Sequence, residues 1–131
     1  MIANMNIFVF GNADLDMDSI PLKILPQLQA KFPKINFIVK DPNEEWDIPE
    51  DFIIIDTVVG IKEITVFKDI DKFVSAPSIS MHDFDAFANI KLLKKLGKIN
   101  KIMIIGIPVE IDHNLAIKEI TSIIEKRAVV N

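Results

Sequence analysis

The 131-residue sequence predicts an α/β fold, and three observations carry that prediction. Short, wholly apolar runs, namely Ile7-Phe8-Val9-Phe10, Phe52-Ile53-Ile54-Ile55 and the stretch from Ile102 to Ile107, have the makeup of strands buried on both faces. Amphipathic helical stretches alternate with them, which implies right-handed crossovers and a three-layer α/β/α sandwich. Two of the runs end on polar residues, Gly11-Asn12 and Asp56, at strand carboxyl ends, where open α/β sheets bind ligands.

Taken in order, Ile7 to Phe10 is the first strand, bounded by Gly11. From Asp18 to Phe32, the residues Ile20, Ile24, Leu25, Leu28 and Phe32 recur at helical spacing. Pro21 suits a first turn, whereas an interior Pro26 costs about 3 kcal/mol and disfavours helical geometry at Leu25, so a kink or a restarted helix is expected. Ile35 to Val39 reads as the second strand, Asp41-Pro42-Asn43-Glu44-Glu45 as a turn-rich acidic loop, and Phe52 to Ile55 as the third strand. Gly60 marks a turn. Glu63 to Phe67 alternates polar and apolar residues, the pattern of a half-buried edge strand and compatible with an antiparallel course.

Ser80 and Asp83 form a capping pattern for a second helix. Phe84, Phe87, Ala88, Leu92 and Leu96 are its apolar stripe, and Gly97 suits the left-handed residue after its last turn. Ile102 to Ile107 is a further buried strand. Asp112 or Asn114 caps the last helix, whose Ala116, Ile117, Ile120, Ile123 and Ile124 face inward. With half its residues apolar and no internal repeat, the chain is expected to form one domain over 1–131.

Composition excludes several classes of function. Without cysteine there is no disulfide, thiolate nucleophile or Cys-ligated metal, so any metal must be held by carboxylate, imidazole or backbone oxygen. The formal charge of −4 includes no concentrated basic face, and nucleic acid is not an expected partner. No apolar run approaches the ~20 residues that span a bilayer, and Met1 to Phe10 lacks a basic flank and a small-residue cleavage site. A soluble, unprocessed, cytoplasmic protein is the expectation.

Each candidate site residue has a plain reading beside the functional one. Gly11-Asn12 is equally a turn, and Asp18 equally a helix cap. Asp56 directly continues Ile53-Ile54-Ile55, so its carboxylate is drawn toward a low-dielectric interior and must find a donor, a cation or a raised pKa. His82 falls in the first turn of its helix, where the dipole keeps imidazole neutral, as a metal ligand requires. His113, in a polar helix start, reads as solvated surface, and Trp46 either covers the acidic loop or anchors a partner. Phosphate is disfavoured: Gly11 has no second or third glycine after it, and Asp14, Asp16 and Asp18 repel anions. No G-x-S-x-G elbow supports serine hydrolase chemistry.

In this order, Gly11-Asn12, Asp18, Ile53-Ile54-Ile55-Asp56-Thr57-Val58, Ser80-Met81-His82-Asp83 and Ile104-Ile105-Gly106-Ile107-Pro108 span nearly the whole chain. They resemble the hydrogenase maturation endopeptidase family, whose hallmarks are G-N-x-x-x-x-D-[DE], a D-A-V-like end to the third strand, an S-x-H-D/E-like segment and G-I-Q-P-E. The resemblance implies a flavodoxin-like, phosphorylase/hydrolase-like domain with a five-stranded mixed sheet in the order 2-1-3-5-4, strand 4 antiparallel. It implies an endopeptidase that removes the C-terminal extension of a nickel–iron hydrogenase large-subunit precursor after nickel insertion. The nickel is carried by the substrate, no organic cofactor is used, and the enzyme is a monomer. Asp18, Asp56 and His82 would be the metal-sensing ligands, Asp18 or Asp56 the base, and Asp41 a residue of substrate recognition.

The chain departs from the pattern in three places. Met17 replaces the first acid of an acidic pair, Ser19-Ile20-Pro21 replaces a G-x-G, and Asp41-Pro42-Asn43-Glu44-Glu45-Trp46 replaces a glycine- and threonine-rich turn. These changes motivate a second expectation, a non-catalytic relative that acts as a metal-sensing binding or assembly factor for a hydrogenase subunit. A generic α/β ligand-binding domain is the third, should Asp18, Asp56 and His82 fail to converge on one ion.

Overall fold

The computed structural model describes residues 5–11, 19–40, 51–58, 60–68, 92, 95–98 and 101–130. Five strands form one sheet: β1 (Asn6–Phe10), β2 (Asn36–Lys40), β3 (Asp51–Thr57), β4 (Thr65–Phe67) and β5 (Lys101–Ile107). Their order is β2-β1-β3-β5-β4. β1 runs parallel to β2 and β3, β3 runs parallel to β5, and β4 is antiparallel to β5. The mixed sheet is therefore the expected one, in order and in direction. Its inner strands β1, β3 and β5 each have a neighbour on both sides, and Ile7, Phe10, Ile54, Ile55, Ile104 and Ile105 have no exposed surface. β4, at the edge, is half-buried, as its alternating pattern predicts.

Two helices, α1 (Ile20–Lys31) and α2 (His113–Val130), contribute to a single core with one face of the sheet. Strand alternation puts Ile7, Val9, Ile53, Ile55, Met103, Ile105 and Ile107 in that core with Ile24, Leu28, Ala116, Ile120 and Ile124. Phe8, Phe10, Phe52, Ile54, Ile102 and Ile104 point to the opposite face and are buried as well. There the rings of Phe8 and Phe52 meet edge to face, with centroids 5.9 Å apart. Burial on both faces is what a three-layer sandwich requires. The helix expected from Ser80 lies outside the described residues except at its end. Leu92 and Lys95 are helical there, the Leu96 N–H donates to the Leu92 carbonyl at 3.1 Å, and Gly97 takes φ +77° as the left-handed residue. Leu92 and Leu96 are exposed, so the inward stripe expected of that helix does not reach its last turn.

Of the two outcomes expected at Pro26, the restart does not occur: one helix runs from Ile20 to Lys31. The physical reason is the side on which the proline falls. Pro26 is exposed, so the carbonyl that its missing N–H leaves open can be hydrated, while Ile24, Leu25 and Leu28 are buried on the other side. Burying each of those side chains contributes about 1.5–3 kcal/mol, which together exceeds the ~3 kcal/mol cost of the proline. At the far end the Phe32 N–H closes the last turn on the Leu28 carbonyl at 3.0 Å.

Asp112, rather than Asn114, caps α2. Its Oδ2 accepts the Leu115 N–H at 3.0 Å, and its carbonyl accepts the Ala116 N–H at 3.0 Å. Asp112→Ala is expected to cost about 1 kcal/mol, read as a fall of a few degrees in thermal melting. An unchanged melting temperature would show that this cap contributes nothing. Among the described residues, no helix is long and apolar enough to cross a membrane.

Candidate functional site

β1, β3 and β5 are parallel, so their carboxyl ends lie along one edge of the sheet. The connection from β1 leads outward to β2 on one side, while β3 and β5 extend the sheet on the other. The divergence opens a crevice between the carboxyl ends of β1 and β3, the switch point at which open α/β sheets take ligands. Pairing between these strands ends at Val9 and Ile55, so Asp56 and Thr57 continue β3 beyond it.

Asp56 is 1% exposed, and with Ser19 it makes up the buried polar residues among those described. Strand alternation places it on the face of Phe52 and Ile54, opposite the helix-covered face of Ile53 and Ile55. An ionised carboxylate at the end of an apolar strand needs donors to offset lost hydration. One of them is the Thr57 N–H, which donates to Asp56 Oδ1 at 2.8 Å and ties the carboxylate to the end of its own strand. Across the ladder Asp56 is in register with Gly106 of β5. There a side chain is absent because space is absent: a Cβ on Gly106 would lie 2.9 Å from Val58 Cγ2 and 3.0 Å from Phe67 Cε2.

Thr57 points to the other face, with Ile55, and its Oγ1 is shut off from solvent and has no hydrogen-bond partner. A buried hydroxyl left unpaired costs about 1–3 kcal/mol. Ser19, buried at the N-cap of α1, makes no side-chain capping bond, although its carbonyl accepts the Leu22 and Lys23 N–H groups at 3.1 and 3.0 Å.

Of the four residues singled out from the sequence, the structure places Asp56. Asp18, His82 and Asp41 lie outside the described residues, as do Asn12 and Trp46. Among the described residues, no group of three His, Asp or Glu side chains is placed to hold a metal ion. His113 is exposed at the start of α2, as expected of a solvated residue. A groove of about 440 Å³ bordered by Lys31, Lys118, Thr121, Ser122 and Glu125 belongs to the helices, and no residue of β1, β3 or β5 lines it.

The class defined by this geometry is an α/β sandwich with a 2-1-3-5-4 mixed sheet and a buried aspartate at the carboxyl end of its central strand. Solved structures of that fold are similar to this chain. Hydrogenase maturating endopeptidase HybD from E. coli matches it with a TM-score of 0.59 and 16% identity, over 79% of this chain and 74% of that one. An endopeptidase from Escherichia coli, solved in solution, matches with a TM-score of 0.56 and 18% identity, over 79% of this chain and 74% of its own. The hydrogenase 3 maturation protease matches with a TM-score of 0.57 and 19% identity, covering 82% of this chain and 75% of the other. At such identities the likeness establishes a common fold. No family model matches the chain, and no curated protein matches it by sequence.

Proposed function

We propose that this protein is an endopeptidase that removes the C-terminal extension of a nickel–iron hydrogenase large-subunit precursor once nickel has been inserted. The observation that carries the reading is Asp56, a buried carboxylate at the carboxyl end of the central strand, in a fold it has in common with hydrogenase maturation endopeptidases. The order of motifs along the chain supports it independently.

In this reading the nickel arrives with the substrate, and Asp18, Asp56 and His82 contact it. Two carboxylates and an imidazole make a mixed donor set that suits a divalent first-row ion and leaves coordination positions to the substrate. The residues need not hold free metal tightly, since the precursor brings the ion. Near the scissile bond, nickel polarises the carbonyl or acidifies a water, and Asp18 or Asp56 accepts the proton. Asp41, after β2, takes part in recognising the precursor. The protein works as a cytoplasmic monomer without an organic cofactor.

Mass spectrometry of the nickel-loaded precursor, before and after incubation with the protein, tests the proposal. Loss of a C-terminal peptide is the expected result, together with its absence when the precursor lacks nickel. The altered residues around Asp18, with Met17 before it and Ser19-Ile20-Pro21 after it, and the missing glycine-rich turn after β2 favour one alternative, a non-catalytic binding or assembly factor. Complex formation without a change in mass would select it. Neither cleavage nor complex would reject both. His82→Ala is expected to lower processing by about 100-fold or more if the imidazole contacts the metal. Cleavage at the wild-type rate would remove His82 from the site.

A further inference from the structure

We propose that Thr57 Oγ1 hydrogen-bonds the polypeptide backbone of the substrate in the β1–β3 crevice, on the side of β3 opposite Asp56. The inference deepens the endopeptidase reading and rests on it. Three observations converge on this hydroxyl. It is buried and unpartnered, it follows the buried carboxylate directly at the end of the central strand, and it stands beyond the last β1–β3 pair.

The fold alone gives no reason for a hydroxyl here. Valine has almost the same shape and would leave nothing unsatisfied, so threonine is the less favourable residue unless it gains a partner in another state. On the β5 side the ladder is already closed, since Thr57 is in register with Ile107 and the Val58 N–H occupies the Ile107 carbonyl at 2.9 Å. Among the described residues, the β1 side is where β3 runs past its last pair, Val9 with Ile55. A segment laid there meets a hydroxyl that both donates and accepts, as a peptide N–H and C=O require. An uncharged hydroxyl on one face and a carboxylate on the other divide the task. Asp56 takes the cation, Thr57 takes the chain, and the substrate crosses the sheet edge over β3. Because Oγ1 is shut off from solvent, the groups over it must part before that bond forms.

Thr57→Val and Thr57→Ser in the full chain test the proposal against the nickel-loaded precursor, with KM, kcat and thermal melting measured together. Thr57→Val is expected to melt at or above the wild-type temperature while KM rises about tenfold, the equivalent of one hydrogen bond. Thr57→Ser should restore KM. An unchanged KM in Thr57→Val would overturn the inference, and so would a loss of stability in that variant or a water bonded to Oγ1 in a crystal structure of the free protein. Should the wild type bind the precursor without cleaving it, the endopeptidase reading falls separately, and calorimetric affinity for the same precursor then replaces KM. Equal affinities of wild type and Thr57→Val would overturn the inference there too.

Discussion

Gly106→Val is expected to be among the most destabilising single changes in this chain, with Gly106→Ala a milder version of the same effect. The reason is space rather than backbone freedom. An ideal Cβ at 106 would stand 2.9 Å from Val58 Cγ2, 3.0 Å from Phe67 Cε2 and 3.3 Å from Ile61 Cδ1, so three side chains already occupy the volume. Forcing a methyl into a packed site costs about 1–3 kcal/mol, partly offset by the ~0.5–1 kcal/mol gained when glycine leaves a strand interior. For Gly106→Ala the balance predicts a fall of roughly 4–8 °C in melting temperature. Valine adds two further methyls to the same place and exceeds this. Gly97 offers the opposite case: at φ +77° with nothing within 4 Å, an added Cβ strains the backbone and meets no neighbour. Thermal melts of Gly106→Val, Gly106→Ala and Gly97→Ala check the argument, and a Gly106→Ala protein that melts at or above the wild-type temperature would sink it.

Much of this fold was legible in the sequence because its strongest signals are local. Ile7 to Phe10 and Phe52 to Ile55 are unbroken apolar runs, and only a strand covered on both faces tolerates that composition. α2 announces itself through Asp112 and the inward spacing of Ala116, Ile120 and Ile124, which are fully buried. Sheet order depends on crossovers, and it came from the resemblance rather than from periodicity. Pro26 left a restart open because a sequence shows that a hydrogen bond is lost but not which side of the helix loses it. The candidate site was legible in part. Asp56 stands out because a charge ending an aliphatic run demands an explanation, whereas the crowding around Gly106 and the unpaired Thr57 hydroxyl depend on packing between β3, β4 and β5 or on partners that a sequence does not display.

Asp56→Asn is expected to abolish processing while leaving the protein folded. The amide keeps an oxygen where Oδ1 accepts the Thr57 N–H at 2.8 Å, so the bond that ties this side chain to the strand end can persist. What disappears is the negative charge, and with it, in the proposed reading, attraction to a substrate-borne cation and the capacity to accept a proton. Because the side chain is 1% exposed, its charge is costly to the fold unless donors or cations offset the lost hydration. Two measurements should therefore part. Thermal stability is expected to change little, since the acceptor of the Thr57 N–H is retained. Processing of the nickel-loaded precursor is expected to fall by roughly 100- to 10,000-fold, the range over which a positioned acid–base group acts. Asp56→Ala should do the same to processing but forfeit stability relative to the asparagine variant, because it leaves the Thr57 N–H without that acceptor. If Asp56→Asn processes the precursor at the wild-type rate, the carboxylate serves the strand end alone, and the site must be sought elsewhere along the sheet edge.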